Sequence, residues 1–269
     1  MAESVSRRQL IKAAAASAAI GASIGAAAPA VAQGSTSRTF VLVHGAWHGG
    51  WCWRRVADDL TARGHKVFTP TLTGVGERSH LLSSSINLET HITDVVNVLR
   101  WENLENVLLC GHSYGGWPIS GVVEAEPSRI SSIVYLDAFL PNNGQKVLDL
   151  NTPDRRQSVL DGIKNGELAR KGPPAAAFEV NPSDRAWVDK MMTPQPIGVS
   201  VQPIHLTGAR DRVAKKAYVR ARKYPQPDFD RWYAQCAADP SWKVFDLPCG
   251  HDAMIDMPKE VSDILVKML

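Results

Sequence analysis

Cysteine is scarce in this chain of 269 residues: there are four, Cys52, Cys110, Cys236 and Cys249. No two stand in C-x-x-C spacing, so neither a zinc knuckle nor a dithiol redox motif is encoded. An excess of one charge is missing too. Thirty Lys and Arg face 27 Asp and Glu, a formal net charge of +3, which predicts neither nucleic acid nor an anionic membrane as a partner. Internal repeats are absent, and low complexity is confined to the first 32 residues. What is present is apolar material, 44% hydrophobic against 21% charged residues. That suffices for one well-filled domain with a solvated surface.

The N-terminus reads as a separate piece. Ser6-Arg7-Arg8-Gln9-Leu10-Ile11-Lys12 precedes an uncharged, Ala-rich run over 13–28, and Ala30-Val31-Ala32 follows with small residues. Charge, apolar run and small-residue site in that order describe a secretory signal over residues 1–32. The run is too weakly apolar to span or stably anchor in a membrane. Its Arg pair resembles a bacterial twin-arginine signal, which implies the twin-arginine export machinery as a partner and a periplasmic or secreted protein. Without that segment the chain starts near Gln33 and carries 27 basic against 26 acidic residues, a net charge of +1. Export permits a disulfide, and Cys236 with Cys249 is the pair to test. Cys110 reads as a small buried thiol.

Short apolar runs alternate with helical spacing along the rest. Phe40-Val41-Leu42-Val43, Lys66-Val67-Phe68, Val107-Leu108-Leu109-Cys110, Ile130 to Leu136, Ile204-His205-Leu206 and Val244-Phe245 read as strands. Asn87 reads as the cap of a helix burying Leu88, Ile92, Val95 and Leu99. The runs do not alternate polar with apolar, so both faces of the sheet are covered. An α/β fold follows, a mostly parallel sheet with helices on both sides. From Pro141 the pattern breaks, and residues 142–200 read as a small cap insertion. The basic residues from Arg210 to Lys223 read as a solvated helix face.

Gly111-His112-Ser113-Tyr114-Gly115 fits G-x-S-x-G, and it sits where a strand turns into a helix. A sharp turn there pushes the serine hydroxyl beyond the carboxyl end of the sheet. Serine needs a base. His251 follows the last strand within Pro248-Cys249-Gly250-His251-Asp252 and reaches the same end. An orienting acid comes from Asp211, after the expected strand 204–206, or from its rival Asp137, which ends the strand before the insertion. The order Ser113, Asp211, His251 favours Asp211. Backbone N–H groups of Ala46, after the first strand, and of Tyr114 read as the oxyanion donors. Trp47 and Trp117 lie near the serine in sequence. They read either as a substrate pocket or as core.

These segments resemble the α/β-hydrolase superfamily, in particular the branch with plant hydroxynitrile lyases, salicylate-type methyl esterases and bacterial carboxylesterases. The resemblance is carried by residues 40–51, 110–116, 207–211 and 250–254. It implies an α/β-hydrolase fold with a cap, a serine esterase acting on small apolar or aromatic carboxylic esters, and no metal or organic cofactor. Lyases of that branch carry threonine and lysine where this chain has Gly45 and Asp252, a departure that favours hydrolysis. Lactones and thioesters remain open as substrates. A ligand-binding protein on a hydrolase fold is the reading from another class.

Overall fold

The computed structural model describes residues 37–269, so the signal expected over residues 1–32 lies outside the described residues. Along the chain the elements run β1 (Thr39–Val43), α1 (Arg54–Ala62), β2 (Lys66–Phe68), α2 (Leu88–Trp101), β3 (Val107–His112), α3 (Gly116–Ala125), β4 (Ile130–Leu136), α4 (Pro153–Lys164), β5 (Ala169–Arg170), α5 (Arg185–Met191), β6 (Gln195–Pro196), β7 (Lys215–Ala221), α6 (Pro227–Ala238), β8 (Trp242–Leu247), α7 (Ala253–Asp256) and α8 (Pro258–Val266). Six strands pair in parallel in the order β2-β1-β3-β4-β7-β8.

Period-two alternation sorts the strand residues into two cores. Phe40 and Leu42 of β1, Leu108 and Cys110 of β3, and Val134 and Leu136 of β4 join a cluster with Val56 and Leu60 of α1 and Val261 and Leu265 of α8. Val41, Leu109, Ile133 and Tyr135 face the other way, toward α2, α3 and α6. This is the three-layer α/β/α packing expected from buried, parallel strands. Helix α2 starts where expected. Asn87 Oδ1 accepts from the Thr90 N–H at 3.0 Å while the Asn87 N–H donates to Thr90 Oγ1 at 3.2 Å, a reciprocal cap.

The structure corrects two expectations between β4 and α6. Residues 204–206 form no strand, and the basic stretch is no solvated helix face. The fifth sheet strand is β7, Lys-Lys-Ala-Tyr-Val-Arg-Ala, buried from its second residue onward. Its two interior cations are satisfied individually. Lys216 Nζ donates to the carbonyls of Asp211 and Val213, and Arg220 is ion-paired with Asp137. A charged side chain enters a sheet interior only on such terms.

The expected insertion holds α4, α5 and the antiparallel β5–β6 pair. All four cysteines are buried and unbridged. Cys236 and Cys249, the pair proposed for a disulfide, belong to the cores on opposite faces of the sheet. Among the described residues no helix is long and apolar enough to cross a membrane.

Candidate active site

The chain reverses sharply between β3 and α3, and Ser113 sits at the turn with φ of +52°. A non-glycine residue in that region is strained, and its surroundings must hold it there. Room for the turn comes from Gly111: a Cβ at that position would stand 2.6 Å from the Gly115 carbonyl oxygen. The Phe139 N–H donates to the Ser113 carbonyl at 3.1 Å and pins the turn from the neighbouring strand's loop. Helix α3 then begins at Gly116, with its positive end toward the serine.

Strand register sets what lies beside Ser113. Val43 pairs with Gly111, His112 with Leu136, and Leu136 with Val219. Two steps beyond the Val43 pair bring Ser113 level with Gly45 on one side, and one step beyond the others brings it level with Asp137 and then Arg220. Contact with Gly45 is close. A Cβ there would stand 2.9 Å from both Ser113 Cβ and His112 Nδ1, so this position is closed to threonine unless the turn moves.

His251 arrives from the loop after β8. Its backbone N–H donates to the Phe178 carbonyl at 2.8 Å, and its own carbonyl accepts from His112 Nε2 at 3.0 Å. These bonds hold the imidazole next to the turn, with the rings of His251 and His112 4.5 Å apart. His251 Nδ1 donates to Asp137 Oδ2 at 2.6 Å, and both side chains are buried. With Nδ1 donating, Nε2 is the nitrogen left as acceptor. The other carboxylate oxygen, Asp137 Oδ1, accepts from Arg220 Nη1 at 2.7 Å and from the Ala221 N–H at 3.0 Å.

The acid favoured in sequence is thereby corrected. Asp211 lies in the short turn Arg210–Arg212 just before β7, at the amino end of the sheet and thus at the edge opposite Ser113. Its side chain is 73% exposed and approaches Arg210 rather than any histidine. Asp137, the rival, is fully buried against His251.

A second buried ion pair lies behind His251. His48 Nε2 meets Asp252 Oδ2 at 3.0 Å, and His48 Nδ1 donates to the Ala46 carbonyl at 2.8 Å. Burial pulls His48 toward neutrality, but the Asp252 charge outweighs it and raises its pKa. Burial likewise pushes Asp252 up, yet His48, with His112 and His251, holds it down to about 2. Burial, reinforced by His251, keeps His112 neutral, well below the ordinary imidazole range. His44 is depressed to about 3 by burial, and its Nε2 accepts from the Leu72 N–H at 3.0 Å, a structural role.

The His48–Asp252 pair should therefore give a pH-dependent stability. His48, raised, contributes fully below its ordinary 6.5 and less as pH climbs through its folded value. Asp252, lowered, contributes fully above its ordinary 3.8 and less as pH falls toward about 2. We expect Asp252→Asn to cost about 3 kcal/mol in urea unfolding inside that window, because it leaves a buried cation unpaired. The penalty should shrink in alkaline buffer. An equal penalty at both pH values would contradict the pairing.

The turn after β1 carries Ala46, expected in the sequence as an oxyanion donor. Among the described residues no protein group accepts the Ala46 N–H, whereas the Trp47 N–H is taken by Gln195 Oε1 at 3.0 Å. Trp47 Nε1 donates to the Arg170 carbonyl at 3.0 Å, and the Trp47 carbonyl accepts from the Thr193 N–H at 2.9 Å. These bonds fix Trp47 to the insertion, and its ring lies 5.9 Å from Phe178, which in turn lies 5.6 Å from His251. Tyr114, expected as the second donor, follows Ser113 directly. Its hydroxyl turns away to His91 Nδ1 at 3.0 Å. Trp117 is wholly buried in the core toward α2, which corrects the pocket expectation for that ring.

Sequence reasoning missed the aromatic wall of the histidine. Tyr224 stacks on His251 at 4.4 Å, and Phe229 at 5.7 Å. It also missed Arg220. Arg220 lies in the stretch read as a solvated face, where a charge-dense pattern hid it. Among the described residues no cluster of three or more His, Cys, Asp or Glu is placed to hold a metal ion.

Comparison with known proteins places the chain in a family. The model of a family described as "Alpha/beta hydrolase family" matches residues 40–264. The chain is similar to a carbendazim hydrolyzing esterase from Nocardioides sp. (strain SG-4G), 40% identical over 239 residues, covering 85% of this chain and 98% of that one. It is 34% identical to methylesterase 4 of Arabidopsis thaliana, covering 87% and 97%. It spans 57% of the length of longer chloroplastic relatives from that plant. Among solved structures it is similar to an extracellular alpha/beta-hydrolase from a Paenibacillus species. That protein is described as sharing structural and functional homology with tobacco salicylic acid binding protein 2. The TM-score is 0.74 at 25% identity, covering 86% of this chain and 98% of that one.

Proposed function

The chain belongs to the alpha/beta hydrolase family, and on that premise we propose that it is a serine esterase whose triad is Ser113, His251 and Asp137. The observation that carries this is the buried 2.6 Å pairing of Asp137 with His251 Nδ1, at the sheet edge where Ser113 protrudes.

In this reading His251 Nε2 takes the hydroxyl proton as Ser113 Oγ bonds to the ester carbonyl carbon. The N–H groups of Ala46 and Tyr114 stabilise the oxyanion, each worth about 3 kcal/mol in the transition state. His251 then gives the proton to the departing alcohol, leaving an acyl group on Ser113. Water, deprotonated by His251, attacks that acyl group and releases the acid. Asp137 holds the imidazole tautomer and stabilises the imidazolium. None of these steps calls for a metal or an organic cofactor.

Small apolar or aromatic esters suit the site best. Phe178, Tyr224 and Phe229 crowd the imidazole, and rings of this kind favour apolar acyl or alcohol groups. The named activities of the relatives, on carbendazim and on methyl esters, belong to the same range. Cyanohydrin cleavage is disfavoured. Gly45 has no room for a threonine, and the Asp252 carboxylate is committed to His48. Residues 1–32 remain, in this reading, a twin-arginine export signal.

The test is a substrate panel of p-nitrophenyl and methyl esters, carbendazim, lactones, thioesters and a cyanohydrin, run beside fluorophosphonate labelling. Ester turnover with label on Ser113 is expected. Labelling without turnover of any substrate would favour a ligand-binding protein, and turnover without labelling would refute the serine mechanism.

A further inference from the structure

A buried arginine stands at the end of β7, level with the acid. Its four hydrogen bonds converge on the catalytic histidine's surroundings. Nη1 donates to Asp137 Oδ1 at 2.7 Å and also to the Ala221 carbonyl. Nη2 donates to the Tyr224 carbonyl at 2.7 Å, and Nε to Asp230 Oδ1 of α6 at 2.8 Å. The guanidinium is almost wholly buried, and its carbon lies 5.9 Å from the centre of the Phe229 ring.

We propose that Arg220 is a positioning residue for the base: it fixes which oxygen of Asp137 meets His251 and holds the Tyr224 and Phe229 rings against the imidazole. The proposal rests on the reading of Asp137 and His251 as the acid–base pair. Asp137 Oδ1 is occupied by Arg220 and the Ala221 N–H, so only Oδ2 is left for His251. Tyr224 stacks on the imidazole at 4.4 Å with the planes 27° apart, and Arg220 fixes the backbone of that same tyrosine. Arg220 Nε bonds Asp230, the residue after Phe229 on α6, so the second ring is tied in as well. A planar fork with fixed donor directions suits such a junction, and a lysine ammonium cannot reproduce it.

Electrostatics adds a second effect. The charged and titratable groups around the imidazole are Asp137 just after β4, His112 from β3, Tyr224 after β7, and Asp252 with its partner His48 behind. Arg220 supplies the cation bound directly to Asp137. It opposes part of the pull that the carboxylate exerts on an imidazolium proton. Removing that charge should let His251 hold its proton more tightly.

The experiment compares wild type with Arg220→Met and Arg220→Lys. The readouts are the pH dependence of kcat/KM on a p-nitrophenyl ester, and the downfield Nδ1–H proton resonance of the His–Asp pair. Arg220→Met should move the acidic limb to higher pH, lower kcat by about 10- to 100-fold through misplacement of the base, and shift or broaden the resonance. Arg220→Lys should keep the limb near its wild-type position while still losing kcat, and it guards against a methionine variant that does not fold. A folded variant of either kind with wild-type kcat, pH profile and resonance would overturn the proposal. The resonance needs no substrate. If wild type neither turns over esters nor labels at Ser113, the esterase reading falls, while the response of the resonance still decides the role of Arg220.

Discussion

Ser113→Ala should lower p-nitrophenyl ester turnover by about a thousandfold or more while leaving the thermal unfolding midpoint close to that of wild type. The two halves of this expectation have different physical sources. In the proposed mechanism turnover falls because Oγ is the atom that bonds to the acyl carbon, and no other hydroxyl occupies that turn. The fold persists because the bonds that pin the turn are backbone bonds. The Phe139 N–H donates to the Ser113 carbonyl, and the room at Gly111 is unchanged. An alanine also tolerates the turn about as well as a serine, since both carry a Cβ into the strained φ of +52°. Residual hydrolysis above the buffer rate is expected from the oxyanion donors alone. A variant that retained wild-type turnover would remove Ser113 from the mechanism.

Asp137→Asn should be nearly as damaging, with kcat down by up to about ten thousandfold, because an amide at that position stabilises the wrong imidazole tautomer. The partner expectation gives this result its meaning: Asp211→Asn should change kcat less than about twofold, being an exposed surface change. Asparagine also leaves Arg220 facing a neutral group in a buried place, so some loss of stability accompanies the loss of rate. Circular dichroism and urea unfolding on the same preparation separate the two. Equal damage from both substitutions, or damage from Asp211→Asn alone, would return the acid to the loop before β7.

Those two aspartates mark where the sequence was legible and where it was not. The turn at Ser113, the histidine loop, the Ala46 turn and the first four strands could be read because continuous apolar runs end in glycine-rich turns there. Strand β7 could not. It places Lys216 and Arg220 in the sheet interior, and a run of alternating cations looks like a wet helix face until their acceptors are known. With that strand hidden, the nearby apolar run 204–206 offers the readable pattern in its place. Asp211 then fell after a strand instead of before one, at the opposite end of the sheet. A local signal did exist. Asp137 directly ends an apolar strand, and a carboxylate in such a place needs a partner. The aromatic wall around His251 had no such signal, because Phe178, Tyr224 and Phe229 come from three separate segments.

The attachment of Trp47 bears on how a substrate reaches the serine. Both of its N–H groups and its carbonyl are bonded to residues 170, 193 and 195, while the neighbouring Ala46 N–H has no protein acceptor among the described residues. A roof that lifted through those residues would pull on the turn that carries Ala46, the proposed oxyanion donor. Admission of substrate by wide opening and a ready-made oxyanion site are then competing states of one mechanical unit. On the proposed function, selection then falls to the fixed contacts around Trp47 rather than to a closing motion. Bulky esters should be refused at the door, in KM, before they can be refused in kcat.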